Sequence, residues 1–164
     1  MSVNVGNRKL SRIEVIFQAI KLQEALEDLS LRSFGIRSRN SPLRRKYEIA
    51  AKITGDKERI DALINDKSTR LLQYADDVLA YVNAANSIFP RNGYDFELKQ
   101  RIEYQNKALA TCNMIEKLLN SIADLFDADI NCFRTTIKIL DNEKHLIIEW
   151  RKKDRQKLKG HSLH

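Results

Sequence analysis

Only five glycines and two prolines punctuate a chain of 164 residues. That scarcity rules against a many-turned β fold, whose tight turns demand such residues, and favours a few long helices joined by short connections. The length fits one domain and is enough to bury a core without disulfides or metal staples. Apolar residues make up 43% and charged residues 31%, which excludes a disordered chain and a polytopic membrane protein.

The apolar residues recur at helical spacing. Residues 1–10 are expected to form a flexible N-terminus, after which Ser11 caps a helix with Glu14 at capping-box distance. Ile13, Phe17, Ile20, Leu22, Ala25, Leu26 and Leu29 give an imperfect stripe that ends near Phe34, where Gly35 offers a left-handed stop. A basic connecting segment follows over 35–56, with Ser41-Pro42 opening a short helix and Asp56 capping the next long one. The second long helix, over 57–89, carries Ile60, Ile64, Leu71, Ala75, Val78, Val82, Ala85 and Phe89 on one face. The third begins near Tyr94 and carries Leu98, Ile102, Leu109, Cys112, Ile115, Leu119, Ile122 and Phe126. The fourth, over 130–157, carries Ile130, Phe133, Ile137, Leu140 and Ile147, before a flexible tail at 158–164. The expected architecture is all-α: an antiparallel four-helix bundle over 11–157 with a basic insertion between the first and second long helices.

Cys112 and Cys132 form no CxxC and sit among apolar neighbours, so both are expected as buried free thiols in a reducing, cytoplasmic setting. Met1 to Leu10 has no apolar signal-peptide core, and no apolar run reaches the ~18 residues of a membrane span.

Helical enzymes leave marks, and these are missing. A di-iron bundle needs Glu-x-x-His pairs, whereas Glu143 and His145 are two apart and point in different directions. No Arg precedes His145 at the four-to-six spacing of helical ribonucleases. There is no P-loop, GxGxxG or HExxH. Asp76, Asp77, Asp124, Asp127 and Asp129 read as solvated faces and caps rather than a magnesium site. The expectation is therefore a non-enzyme with no catalytic residue, metal or cofactor.

What remains is cationic. The net charge is +7, which favours polyanionic partners. The connecting segment supplies Arg37, Arg39, Arg44, Arg45 and Lys46 with no intervening acid. The C-terminal helix supplies Arg151, Lys152, Lys153, Arg155 and Lys157, opposed within the run only by Asp154. Arg151, Arg155 and Lys159 repeat every four residues and share a face. Such clusters neutralise several phosphates together and release counterions. The same run also reads as a solvated helix end whose cations complement the helix dipole. Trp150, the sole tryptophan, is either packed at a bundle end or a partner contact.

Three stretches carry a family resemblance: Ala85–Pro90, Arg101–Ala108 with Cys112, and Trp150–Arg155. Together they resemble a family of small bacterial and phage four-helix-bundle proteins that includes the accessory variability determinant (Avd) of diversity-generating retroelements. The chain is also similar to bundle proteins encoded in ribosomal RNA intervening sequences. Phe34-Gly35-Ile36-Arg37 resembles longer members, and the likeness lies mostly within residues 75–157. It implies a basic pentamer that binds the element's reverse transcriptase and its RNA, supports mutagenic complementary DNA synthesis, and has no active site of its own. The insertion around 35–59 departs from shorter members. The leading expectation is thus a non-catalytic, cytoplasmic, homo-oligomeric accessory protein for a reverse transcriptase and its template RNA. The alternative is an oligomeric protein–protein scaffold with no nucleic-acid role.

Overall fold

The computed structural model describes the backbone of residues 3–32, 34, 57–91, 95–126, 128 and 130–162, and within these the side chains of 13–32, 34, 61–91, 95–124, 128 and 130–160. Among the described residues there are four long helices and no strand: α1 (Val3–Leu31), α2 (Lys57–Ser87), α3 (Asp95–Phe126) and α4 (Arg134–Ser162), with a 3-10 turn at Ile130–Cys132 leading into α4. The expected short helix after Pro42, and the cations Arg37, Arg39, Arg44, Arg45 and Lys46, lie outside the described residues.

Each helix packs against two others, α1 on α2 and α4, and α3 on α2 and α4; the α2–α3 interface is the most extensive. One core runs through all four. The inward residues step by three and four: Val15, Ala19, Leu22, Leu26 and Leu29 on α1, Leu71, Ala75, Val78, Val82 and Ala85 on α2, and Ala108, Cys112, Ile115, Leu119 and Ile122 on α3. This spacing keeps a seam facing its partner. Polar cross-links fix the order of residues along the seams. Lys67 Nζ lies 3.3 Å from Ser121 Oγ, while Arg101 Nη1 donates to the Ile88 carbonyl at 3.3 Å. Between α3 and α4, Asn106 accepts from Arg151 at 2.8 Å and Glu116 accepts from Lys144 at 2.8 Å.

Several expectations need correcting. Helix α1 starts at Val3 rather than after a loose stretch of ten residues, and Ser11 lies inside it. No proline interrupts this stretch, and one glycine in a helix costs only about 1 kcal/mol. Its stripe is in truth two stripes. Val15 through Leu29 point inward, whereas Ile13, Phe17 and Ile20 stand on the opposite face, exposed by 54%, 61% and 37%. Their steps of four and three gave each set the same periodicity, so spacing alone could not separate them. Phe89 lies past the end of α2 and is exposed, as is Ile130 before α4. Among the described residues, Phe34 after α1 is left-handed, with φ 55°; the expected stop at Gly35 lies outside them. A phenylalanine there is strained by about 1–2 kcal/mol, but its ring is fully buried and stacks on Phe133 with centroids 6.3 Å apart. Burial of that much aromatic surface outweighs the backbone cost. Helix α4 continues to Ser162, through the expected tail. Cys132, expected buried, is exposed in the 3-10 turn, while Cys112 is buried.

Candidate nucleic-acid interface

The cationic run lies on the last turns of α4, and the geometry there depends on one acid. The inward positions of α4 run Leu140, Glu143, Ile147, Trp150 and Asp154, again in steps of three and four. Asp154 therefore points into the bundle, not out among the lysines, and is 1% exposed. Arg101 on α3, also 1% exposed, meets it with a two-pronged ion pair; Nε donates to Oδ2 at 2.8 Å and Nη2 to Oδ1. Gln105, one turn on, donates to Oδ2 at 2.7 Å. The indole of Trp150 covers the guanidinium, 5.8 Å from the ring centroid. Planar donors opposite a carboxylate, roofed by an aromatic face, are what a guanidinium supplies and an ammonium does not.

Trp150 is 9% exposed, so the expected partner contact gives way to packing within this chain. Its Nε1 and the Oε1 of Gln105 are buried without a hydrogen-bond partner among the described residues.

The cations are left outside. Lys152, Lys153, Arg155 and Lys157 are exposed and Arg151 is half-buried. Among the described residues, Lys152, Lys153 and Arg155 form no ion pair. Because each residue turns the helix by about 100°, the run splits into two strips beside the Trp150–Asp154 seam. Arg151 and Arg155 lie on the α3 flank, where Arg151 donates to the neutral Asn106. Lys153 and Lys157 lie on the opposite flank, and Lys152 faces outward next to the first strip. Partial burial, and after it the neighbouring charge of Arg155, lowers the Arg151 pKa from its ordinary value. Two guanidinium groups close enough to repel, with no carboxylate between them, favour an anion at that spot.

The connection between α2 and α3 lies at this same end. Arg91 and Glu97 clasp it: the Arg91 backbone N–H donates to Glu97 at 2.9 Å, and its side chain donates through Nε at 3.2 Å and Nη2 at 2.9 Å. The Arg91 backbone N–H, then its side chain, holds the Glu97 carboxyl below the usual range. Phe89 and Phe96 stand out on either side of this clasp, 72% and 76% exposed.

Elsewhere the acids considered for metal binding do ordinary work. Asp76 accepts from Gln23 at 2.7 Å and Asp77 from Gln73 at 3.1 Å, while Asp127 and Asp129 fall outside the described residues. His145 is exposed. Among the described residues no three His, Cys, Asp or Glu side chains gather, and no helix is long and apolar enough to cross a membrane.

The sequence reading missed Arg101, Gln105 and Glu143 as interior groups and counted Asp154 as the acid opposing the cationic run. A signal was present: continuing the three-and-four seam register of α3 and α4 lands on all four. Comparison with known protein families, with curated proteins and with solved structures gives no match.

Proposed function

We propose that this protein is a non-catalytic, cytoplasmic accessory of a retroelement reverse transcriptase that holds template RNA on the cationic end of α4. The observation that carries the RNA part is the inward turn of Asp154. The one acid within the Arg151–Lys157 run is consumed by Arg101, so Lys152, Lys153 and Arg155 stand without an acidic partner among the described residues. Phosphate contacts of this kind hold a strand without reading its sequence. The resemblance to retroelement accessory proteins supports the polymerase as partner. The frame is an antiparallel four-helix bundle; the residue pairs 67/121 and 88/101, then 106/151 and 116/144, run in opposite order along neighbouring helices and support that reading. The connecting cations Arg37, Arg39, Arg44, Arg45 and Lys46 add charge to the same chain.

The test is salt-dependent RNA binding. Replacing Arg151, Lys152, Lys153 and Arg155 together by Glu abolishes binding at low salt, and the parent's affinity falls steeply as salt rises, with a logarithmic slope of about −0.7 per phosphate neutralised on a single strand. Unchanged low-salt affinity in that variant, with its helicity intact by circular dichroism, sinks the assignment.

A second reading, an oligomeric protein–protein scaffold, is favoured by the outward face of Ile13, Phe17 and Ile20. Apolar side chains held together in water mark an association surface. Light scattering of the parent and of a Phe17→Ser variant tests it, a loss of mass on substitution being the expected result. RNA affinity indifferent to salt would make this the primary role.

A further inference from the structure

Two phenylalanine rings in water, at the same end of the molecule as Lys152, Lys153 and Arg155, which form no ion pair among the described residues, call for an explanation that folding does not give. Phe89 and Phe96 are the most exposed aromatic rings among the described residues. Three hydrogen bonds join Arg91, two residues after Phe89, to Glu97, next to Phe96. The α2 side of this connection is further tied to α4 through one side chain: Arg101 donates to the Ile88 carbonyl, next to Phe89, and with its other nitrogens grips Asp154. The backbone that carries the rings is thus anchored to the turn of α4 that carries Arg151, Lys152 and Arg155.

We infer that Phe89 and Phe96 are base-stacking platforms, and that the ligand of this end of the molecule is single-stranded RNA, its phosphates on the α4 cations and its bases on the two rings. This rests on the RNA-binding reading and narrows it. Charge selects the ligand: the protein carries +7 overall, and Lys152, Lys153 and Arg155 lack acidic partners among the described residues. The rings select the strand. In a duplex every base face is already covered by its neighbours, so an exposed phenyl gains nothing from it. An unpaired strand offers open faces, and stacking on them tolerates any sequence. The hydrogen bonds that tie Arg91 to Glu97 and the Ile88 carbonyl to Arg101 also reduce the cost of ordering the neighbouring backbone on binding.

The experiment is fluorescence anisotropy with a labelled oligoadenylate and with an RNA duplex of the same length, on the parent and on a Phe89→Leu/Phe96→Leu variant. Leucine keeps the surface apolar and removes only the flat ring. The parent is expected to prefer the single strand. The variant is expected to lose about tenfold in single-strand affinity per ring, while its salt slope and its duplex affinity stay those of the parent. Full single-strand affinity in the variant overturns the inference, as does an equal loss for strand and duplex. Failure of the underlying reading looks different: there the parent itself binds neither RNA.

Discussion

Asp154 and Glu143 sit on the same inward face of α4, about three turns apart, and both are sealed from water, at 1% and 0% exposure. Their surroundings differ. Asp154 receives three hydrogen bonds from Arg101 and Gln105. Glu143 receives none; both carboxyl oxygens are buried without a partner among the described residues. Burial alone pushes its pKa up to about 9, so it sits in the core as a neutral acid at physiological pH. One end of the helix thus stores a charge by matching it, and the middle removes one by protonation. A buried carboxylate has no third stable option, because an unmatched ion costs far more than either.

The contrast can be broken hardest at Arg101. An Arg101→Met variant leaves Asp154 buried and unmatched, and is expected to lose about 3–5 kcal/mol of stability in chemical denaturation. Adding Asp154→Leu should restore most of it; a double variant as weak as the single one would show that the pair is not the cause. Glu143→Met should act in the other direction. It keeps the volume and deletes an unsatisfied polar group, for an expected gain of about 1–3 kcal/mol.

The pH dependence sharpens the comparison further. The folded protein holds the Glu143 proton up to about pH 9, whereas the ordinary value is 4.5. Between those values the folded state binds more protons at this group than the unfolded one, so its contribution to stability is greatest below pH 4.5 and is lost as pH rises toward 9. The slope from this group is at most about 1.4 kcal/mol per pH unit. Denaturation midpoints across that window should show it, and Glu143→Gln should remove it; a slope that persists in the variant assigns the effect elsewhere. The mildest probe is chemical. Cys112 lies within the field of Glu143, and burial first, then that carboxyl, raises its thiol pKa to about 12. Cys132 is exposed. At pH 8 a thiol reagent should label one cysteine in the folded protein, Cys132, and the second only after unfolding. Rapid labelling of both would mean that the interior around Glu143 is not dry.

The helical class and most of the core were legible because burial on a bundle follows spacing, and α2 and α3 obey it from Leu71 to Ala85 and from Leu98 to Ile122. Two kinds of residue escaped. Apolar positions with helical spacing on the wrong face, such as Ile13 and Phe17, look the same as core positions until a neighbouring helix selects one side. Polar residues in seam register look like surface by residue type, and although the register points them inward, their partners on another helix are not legible. Arg101 and Asp154 are far apart in sequence, and nothing local marks them as a pair. The candidate site inherited that blindness: its cations were readable as a run, but the fate of the acid among them depended on α3.

The arrangement of interfaces has a kinetic consequence. Among the described residues, three of the four extensive helix interfaces join elements consecutive in the chain, and the fourth, α1 on α4, spans most of its length. Local contacts close small loops first, so a chain of this topology belongs among the fast folders, reaching its native state in microseconds to milliseconds. The α2–α3 hairpin, drawn together by a short connection and the widest interface, is the natural nucleus, and α1 docking against α4 is the step that completes the structure.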